Sequence, residues 1–320
     1  MTLPIGGFFG LESGSGTGAY HDGALALSLG RACLNLVVQH LQPAKIHVPY
    51  YSCDALLAPI RHNRVPLEFY QLNAELEPRA RLNLGPNEYV VYINYFGVKQ
   101  AASRRLAALY PGRLIVDNAQ AFFVREPVGL CSFNSARKFF GVADGAYLYF
   151  PGMDLPALER NTLARQDHLV ERMAGNVEFA YRRFLEYERG LNCDIKRPSL
   201  FSEELLARVD YQGASERRKA NYEVYQRDFG RINRLQIERH DDDVPLCYPL
   251  LLDREVPKAA LHERGIFVPT FWADVTDRPE SGFAFERQVT RDLLPLPLDQ
   301  RYDATDCRRV IDEVRRLVGG

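Results

Sequence analysis

Over the first 150 residues, short apolar runs alternate with stretches of helical period. Tyr89–Tyr95 (YVVYINY) is the densest run, aromatic or β-branched at every position but Asn94, as suits a buried strand. Lys45–Pro49 (KIHVP), Pro66–Tyr70, Leu114–Asp117 (LIVD), Leu130–Phe133 and Ala146–Phe150 are shorter runs of the same kind. Between them lie helix patterns. One follows Gly30, with Ala32, Cys33, Leu34, Leu36, Val37 and Val38; a second is Cys53–His62, with Leu56, Leu57 and Ile60; a third is Ala101–Tyr110. Strands alternating with helices predict an α/β fold with a mostly parallel sheet covered on both faces.

The pattern changes after Pro151. Leu155–Tyr187 and Glu203–Phe229 read as two long charged helices. Leu235–Glu238, Val244–Leu252 and Ile266–Thr270 read as short strands, and Val310, Ile311, Val314, Leu317 and Val318 stripe a closing helix. The predicted organisation is a large domain over 1–200 and a small α+β domain over 201–320.

Composition mainly excludes. The 320 residues are 46% hydrophobic and 25% charged, as in an ordinary globular protein. A net charge of −1, without interleaved basic and aromatic patches, argues against nucleic acid as a partner. No run approaches the roughly 18–20 apolar residues that span a bilayer. The opening MTLPIGGFFG lacks the basic and apolar regions of a signal peptide. Six scattered cysteines without C-x-x-C fit reduced thiols, so the expected compartment is the cytoplasm.

Glycines 6, 7, 10, 14, 16 and 18 follow no strand and do not read G-x-G-x-x-G, so this stretch is expected to be a flexible entry segment. Its Phe8, Phe9 and Glu12 are candidates to fold over a substrate. His240–Asp243 (HDDD) has no second ligand cluster nearby and reads as a solvated turn, so no metal is expected. Trp272, in VPTFW, is expected in the core or on a pocket wall.

Three pieces carry chemistry. Lys138 stands between two apolar strands, and a lysine in apolar surroundings presents the neutral amine that Schiff-base formation needs. Asp117 closes the strand LIVD, where ligands of parallel sheets bind, and such an acid can hold a pyridinium nitrogen. Gln120, one turn on, is placed for the phenolic oxygen of the same ring. Gly30 and Arg31 open a helix whose N-terminus suits a phosphate, and Ser135 can add a hydroxyl. Together these are the requirements of pyridoxal 5′-phosphate.

The motifs VDNAQA (116–121), CSFNSARK (131–138), GVADGAYL (141–148), HVPYYSCDALLAPI (47–60), NYFG (94–97) and LLPLPLDQRYDATDCRRVIDEV (293–314) occur in that family's arrangement. In them the chain resembles the DegT/DnrJ/StrS nucleotide-sugar aminotransferases, fold-type-I pyridoxal-phosphate enzymes. The resemblance implies Lys138 as the Schiff-base lysine and proton shuttle, Asp117 on the ring nitrogen and Gln120 beside the ring oxygen. It implies Gly30, Arg31 and Ser135 at the phosphate, with Ser132 competing for the serine role, and Tyr51 or Tyr50 stacked on the ring. IKRPSLFS (195–202) is the nearest match to an element that relatives lend to the partner subunit. The expected activity is transamination of a nucleotide-linked keto-sugar by a homodimer, with glutamate as the usual donor, in surface polysaccharide synthesis. The competing expectation is a catalytically degenerate scaffold that binds cofactor or sugar nucleotide.

Overall fold

The computed structural model describes residues 5–12, 18–154 and 157–319. The strands are β1 (Ile5–Gly6), β2 (Leu25–Leu27), β3 (Lys45–Pro49), β4 (Leu67–Tyr70), β5 (Glu88–Ile93), β6 (Leu114–Asn118), β7 (Cys131–Asn134), β8 (Ala146–Tyr149), β9 (Tyr248–Leu250), β10 (Ile266–Phe267) and β11 (Leu294–Leu296). The helices are α1 (Gly30–Leu41), α2 (Asp54–His62), α3 (Gln100–Leu109), α4 (Asp167–Met173), α5 (Val177–Arg189), α6 (Leu200–Leu206), α7 (Tyr211–Phe229), α8 (Lys258–His262), α9 (Ala284–Asp292) and α10 (Ala304–Gly319).

Seven strands form the main sheet in the order β2-β8-β7-β6-β5-β3-β4. From β7 to β4 every pairing is parallel; β8 runs antiparallel to both β7 and β2. The central β6 and β7 are buried at every residue, which is why they read as unbroken apolar runs rather than alternating ones. Asn118 pairs with Asn134 in the β6–β7 register, so Asp117 and the loop after β7 emerge side by side at the carboxyl edge.

The last third of the chain packs as α7 and α10 around β9 and β11, with β10 in a separate pair. Asn221 on α7 donates to the carbonyls of Leu298 and Tyr302 (3.0 and 2.9 Å), and Tyr225 donates to Pro297 (2.9 Å). These bonds pin the LPLPLDQRY segment under the helix.

Three expectations are corrected. The entry segment is built into the fold over Ile5–Glu12: β1 pairs in parallel with β10, and Leu11 N donates to Leu169 O (2.9 Å). Glu12 N donates to Gly141 O (2.8 Å), while Gly141 N donates to the Glu12 carboxylate (3.1 Å). A Cβ on Gly141 would stand 1.7 Å from Gly10 O, so only glycine admits this contact. Gly14 and Gly16 lie outside the described residues.

Both long helices are broken. Leu155–Tyr187 contains α4 and most of α5, parted at Gly175 with φ +88°; Leu155 and Pro156 lie outside the described residues. Glu203–Phe229 spans α6 and α7, and Asp210 caps α7 by accepting from Gly213 N (2.9 Å). Charged, solvent-facing positions keep their period across such a break, so only the caps and the turn reveal it. The third correction concerns strands: Leu235–Glu238 forms none, and the other two runs shrink to β9 and β10.

Candidate active site

β6 delivers Asp117 to the sheet's carboxyl edge. Its carboxylate is 6% exposed and accepts a 2.7 Å hydrogen bond from Ala119 N. Burial raises its pKa above the ordinary carboxylate value; the nearby Lys138 ammonium and the Ala119 hydrogen bond pull it back. After β7 the chain makes one tight turn, Ala136–Lys138, closed by Ala136 N to Gly145 O and Phe139 N to Ala136 O (both 2.9 Å). Lys138 is thereby half-buried on the wall of the same cavity as Asp117.

The neighbouring Phe139 carbonyl accepts from Gln300 (2.8 Å) and from Arg218 (3.4 Å). Arg218 is fully buried; its guanidinium lies 4.5 Å from the centre of the Phe139 ring and also donates to Gln300 and to the Pro245 and Leu246 carbonyls. Burial lowers the Arg218 pKa to about 10. The turn carrying Lys138 is thus held from the C-terminal third of the chain.

The cavity measures about 240 Å³ and is lined by Gly30, Arg31, Cys53, Asp117, Ala119, Phe133, Ser135, Arg137, Lys138, Glu188 and Trp272, with Leu29, Leu34, Ala55 and Leu56. Its anion-binding equipment is the N-terminus of the twelve-residue α1, the Ser135 hydroxyl and two guanidinium groups. Arg31 donates to Leu191 O (3.0 Å). Arg137 is ion-paired with Glu188, and its buried Nε has no partner among the described residues.

Gly30, Arg31, Asp117, Ser135 and Lys138 therefore share one cavity wall. Ser132 does not join them: its hydroxyl donates to Glu126 O (3.2 Å). Gln120 is off the wall as well. Its Oε1 accepts from Phe96 N (2.9 Å), and its buried Nε2 has no partner among the described residues. Tyr51, expected against a bound ring, lies outside the wall, fully buried and stacked on Tyr95 at 5.7 Å. Tyr50 stacks on Phe283 at 3.9 Å. The turn after β3 explains both. Ser52 Oγ donates to Pro49 O (2.7 Å), and Arg278 donates to the Tyr50 and Ser52 carbonyls (2.6 and 2.8 Å), which turns Cys53, the N-cap of α2, to the cavity. In IKRPSLFS, Ser199 caps α6 and donates to buried Asp144 (2.7 Å).

Trp272 takes the pocket-wall place that the sequence offered it, whereas Cys53, Arg137 and Glu188 were not among the site residues expected from sequence. Arg137 adjoins Lys138 and was readable from that alone; Glu188 lies in charged helical texture that marks no site.

No family model matches the chain, and no curated protein sequence does. Solved structures do. The aminotransferase TlmJ from Streptoalloteichus hindustanus superposes with a TM-score of 0.70 at 17% identity, over 98% of this chain and 99% of that one. The chain has the fold of these aminotransferases. A DegT DnrJ EryC1 StrS aminotransferase from Brucella abortus matches with a TM-score of 0.65 at 14% identity, over 93% of this chain and 87% of that one. Spr1654 from Streptococcus pneumoniae, in its PMP form, matches at 0.70 and 12%, over 95% and 91%.

Proposed function

We propose that the chain is a pyridoxal 5′-phosphate-dependent aminotransferase whose acceptor is a nucleotide-linked keto-sugar, serving surface polysaccharide synthesis in the cytoplasm. The observation that carries this reading is that a buried carboxylate, Asp117, and an amine, Lys138, face one small cavity whose wall also holds a helix N-terminus, a serine and two arginines. These groups suit the ring nitrogen, the aldehyde and the phosphate of that cofactor. Bound there, it supplies an electron sink for the carbon that loses or gains the amino group. The substrate class rests on the family resemblance and on the shared fold.

Asp117 holds a proton on the ring nitrogen, its charge kept by the Ala119 hydrogen bond. Lys138 Nζ would hold the cofactor's aldehyde and would serve as the base that moves a proton from the donor's α-carbon. Gly30 N–H, Arg31, Ser135 and Arg137 bind the phosphate. The protein works as a homodimer in this reading. Val170, Met173 and Tyr181, 49, 61 and 51% exposed on α4 and α5, offer the apolar surface for a second copy. Sedimentation as an active monomer would rule the dimer out.

The test is direct. Purified protein with added pyridoxal phosphate is expected to show a visible absorbance band, bleached by glutamate. The K138A variant should show no band and no borohydride-fixed adduct. A wild-type protein without a band, or an adduct persisting in K138A, overturns the reading; a band that no amino donor bleaches points to a binding scaffold.

A further inference from the structure

Trp272 is the sole tryptophan of the chain. It lines the cavity, half-buried, in the left-handed backbone region (φ 58°, ψ 56°) that side-chain-bearing residues seldom adopt. An outlier of that kind persists only where its surroundings enforce it, and such positions cluster at functional sites.

The enforcement is visible. The indole stands edge-on to Tyr51 at 4.4 Å, with Tyr95 at 5.8 Å behind. Asp274, two residues on, is ion-paired with Arg278, the residue that also grips the Tyr50 and Ser52 carbonyls. One guanidinium thus holds the Trp272 loop and the turn that presents Cys53. Tyr50 and Tyr51 are committed to packing: Tyr51 supports the indole, and the Tyr50 hydroxyl bonds to the Arg278 carbonyl (3.2 Å). Phe133, the other aromatic of the wall, is 2% exposed within the sheet. Trp272 is left with an available ring, and its indole N–H has no acceptor among the described residues.

A cavity of about 240 Å³ is smaller than the roughly 300–1,000 Å³ of pockets for drug-sized ligands. A molecule gripped by both Asp117 and Lys138 fills it and meets this wall. We propose that Trp272 is the aromatic positioning residue of the cofactor pocket, packing against bound pyridoxal phosphate in the role the sequence suggested for Tyr50 or Tyr51. This rests on the cofactor reading above.

The experiment titrates pyridoxal phosphate into cofactor-free wild type, W272A, W272L and W272F, reading the visible band, its induced circular dichroism and the melting of each apo protein. W272A and W272L are expected to weaken binding about tenfold, with W272F within about twofold of wild type, because an aromatic face contributes beyond its area. The induced dichroism should collapse in W272A and W272L alone. If W272A does not fold, W272L against W272F decides. Binding and dichroism in W272L equal to wild type overturn the proposal while leaving the cofactor reading intact. Absence of binding by wild type overturns that reading instead.

Discussion

The cavity has two unlike sides. On the sheet side, Asp117 is placed by the register of adjacent parallel strands, β6 and β7, and Lys138 by the tight turn that directly follows β7. On the facing side, Trp272, Glu188 and Cys53 come from a loop, a helix end and a helix cap far apart in sequence. They are placed by side-chain grips, chiefly those of Arg278. The contrast teaches where chemistry and fit are encoded. Strand ends tolerate little error, which suits the groups proposed to react, whereas a wall assembled from distant grips can be reshaped without disturbing them.

The sharpest way to break this contrast is on the sheet side. K138A is expected to abolish transamination, read as loss of glutamate-dependent bleaching. D117N should lower kcat roughly 10²–10³-fold, the range for removing one pre-placed electrostatic partner, with the melting temperature barely changed. A D117N enzyme of wild-type rate would mean the ring nitrogen is held elsewhere.

Grips from afar should cost stability before chemistry. R218M takes the Arg218 donor from the Pro245 and Leu246 carbonyls and leaves the Phe139 carbonyl with Gln300 alone. A loss of about 1–3 kcal/mol in denaturant unfolding is expected, as for buried acceptors left without a donor. Unchanged stability would show that Gln300 alone suffices at Phe139.

Acid should act on both sides at once. Burial pushes the His21 pKa down to about 3, and His168 down to about 4. His21 packs with Tyr149 and Asn134 on the sheet; His168 lies on α4 beside Phe8. Both are therefore neutral in the fold and protonate more readily unfolded. Their contribution is complete above the ordinary histidine pKa of about 6.5. It is lost as pH falls from there to the folded values, at up to ~1.4 kcal/mol per unit for each group. H21N should flatten that limb over its whole length in pH-dependent melting; an unchanged slope would remove His21 from the account.

The smallest effect tests the facing wall. Glu188 now neutralises Arg137. E188Q frees that guanidinium for a phosphate and should tighten cofactor binding about threefold, a fraction of a charge-assisted hydrogen bond. R137Q should weaken it. If E188Q weakens binding, the pair is itself a support that the bound state keeps.

Much was legible without coordinates, for reasons particular residues show. Leu114–Asn118 and Cys131–Asn134 are buried on both faces, so hydrophobicity alone marked them, and an acid or a lysine just beyond such a run stands out. The breaks at Gly175 and at Ala207–Asp210 were hidden, because exposed charged residues face the same solvent whether or not the helix continues.

By itself, then, the sequence determined the parallel sheet, the helix opening at Gly30 and the pairing of Asp117 with Lys138, since each follows from local burial or from the order of strands. Tertiary structure alone decided that Tyr51 turns inward while Cys53 and Trp272 face the cavity, that Ser135 rather than Ser132 lines it, and that Ile5–Glu12 packs beside the Lys138 turn. All but the serine choice depend on a contact between residues remote in sequence: Arg278 on Ser52, Gly10 against Gly141. No local pattern of polar and apolar residues carries the range at which such contacts act.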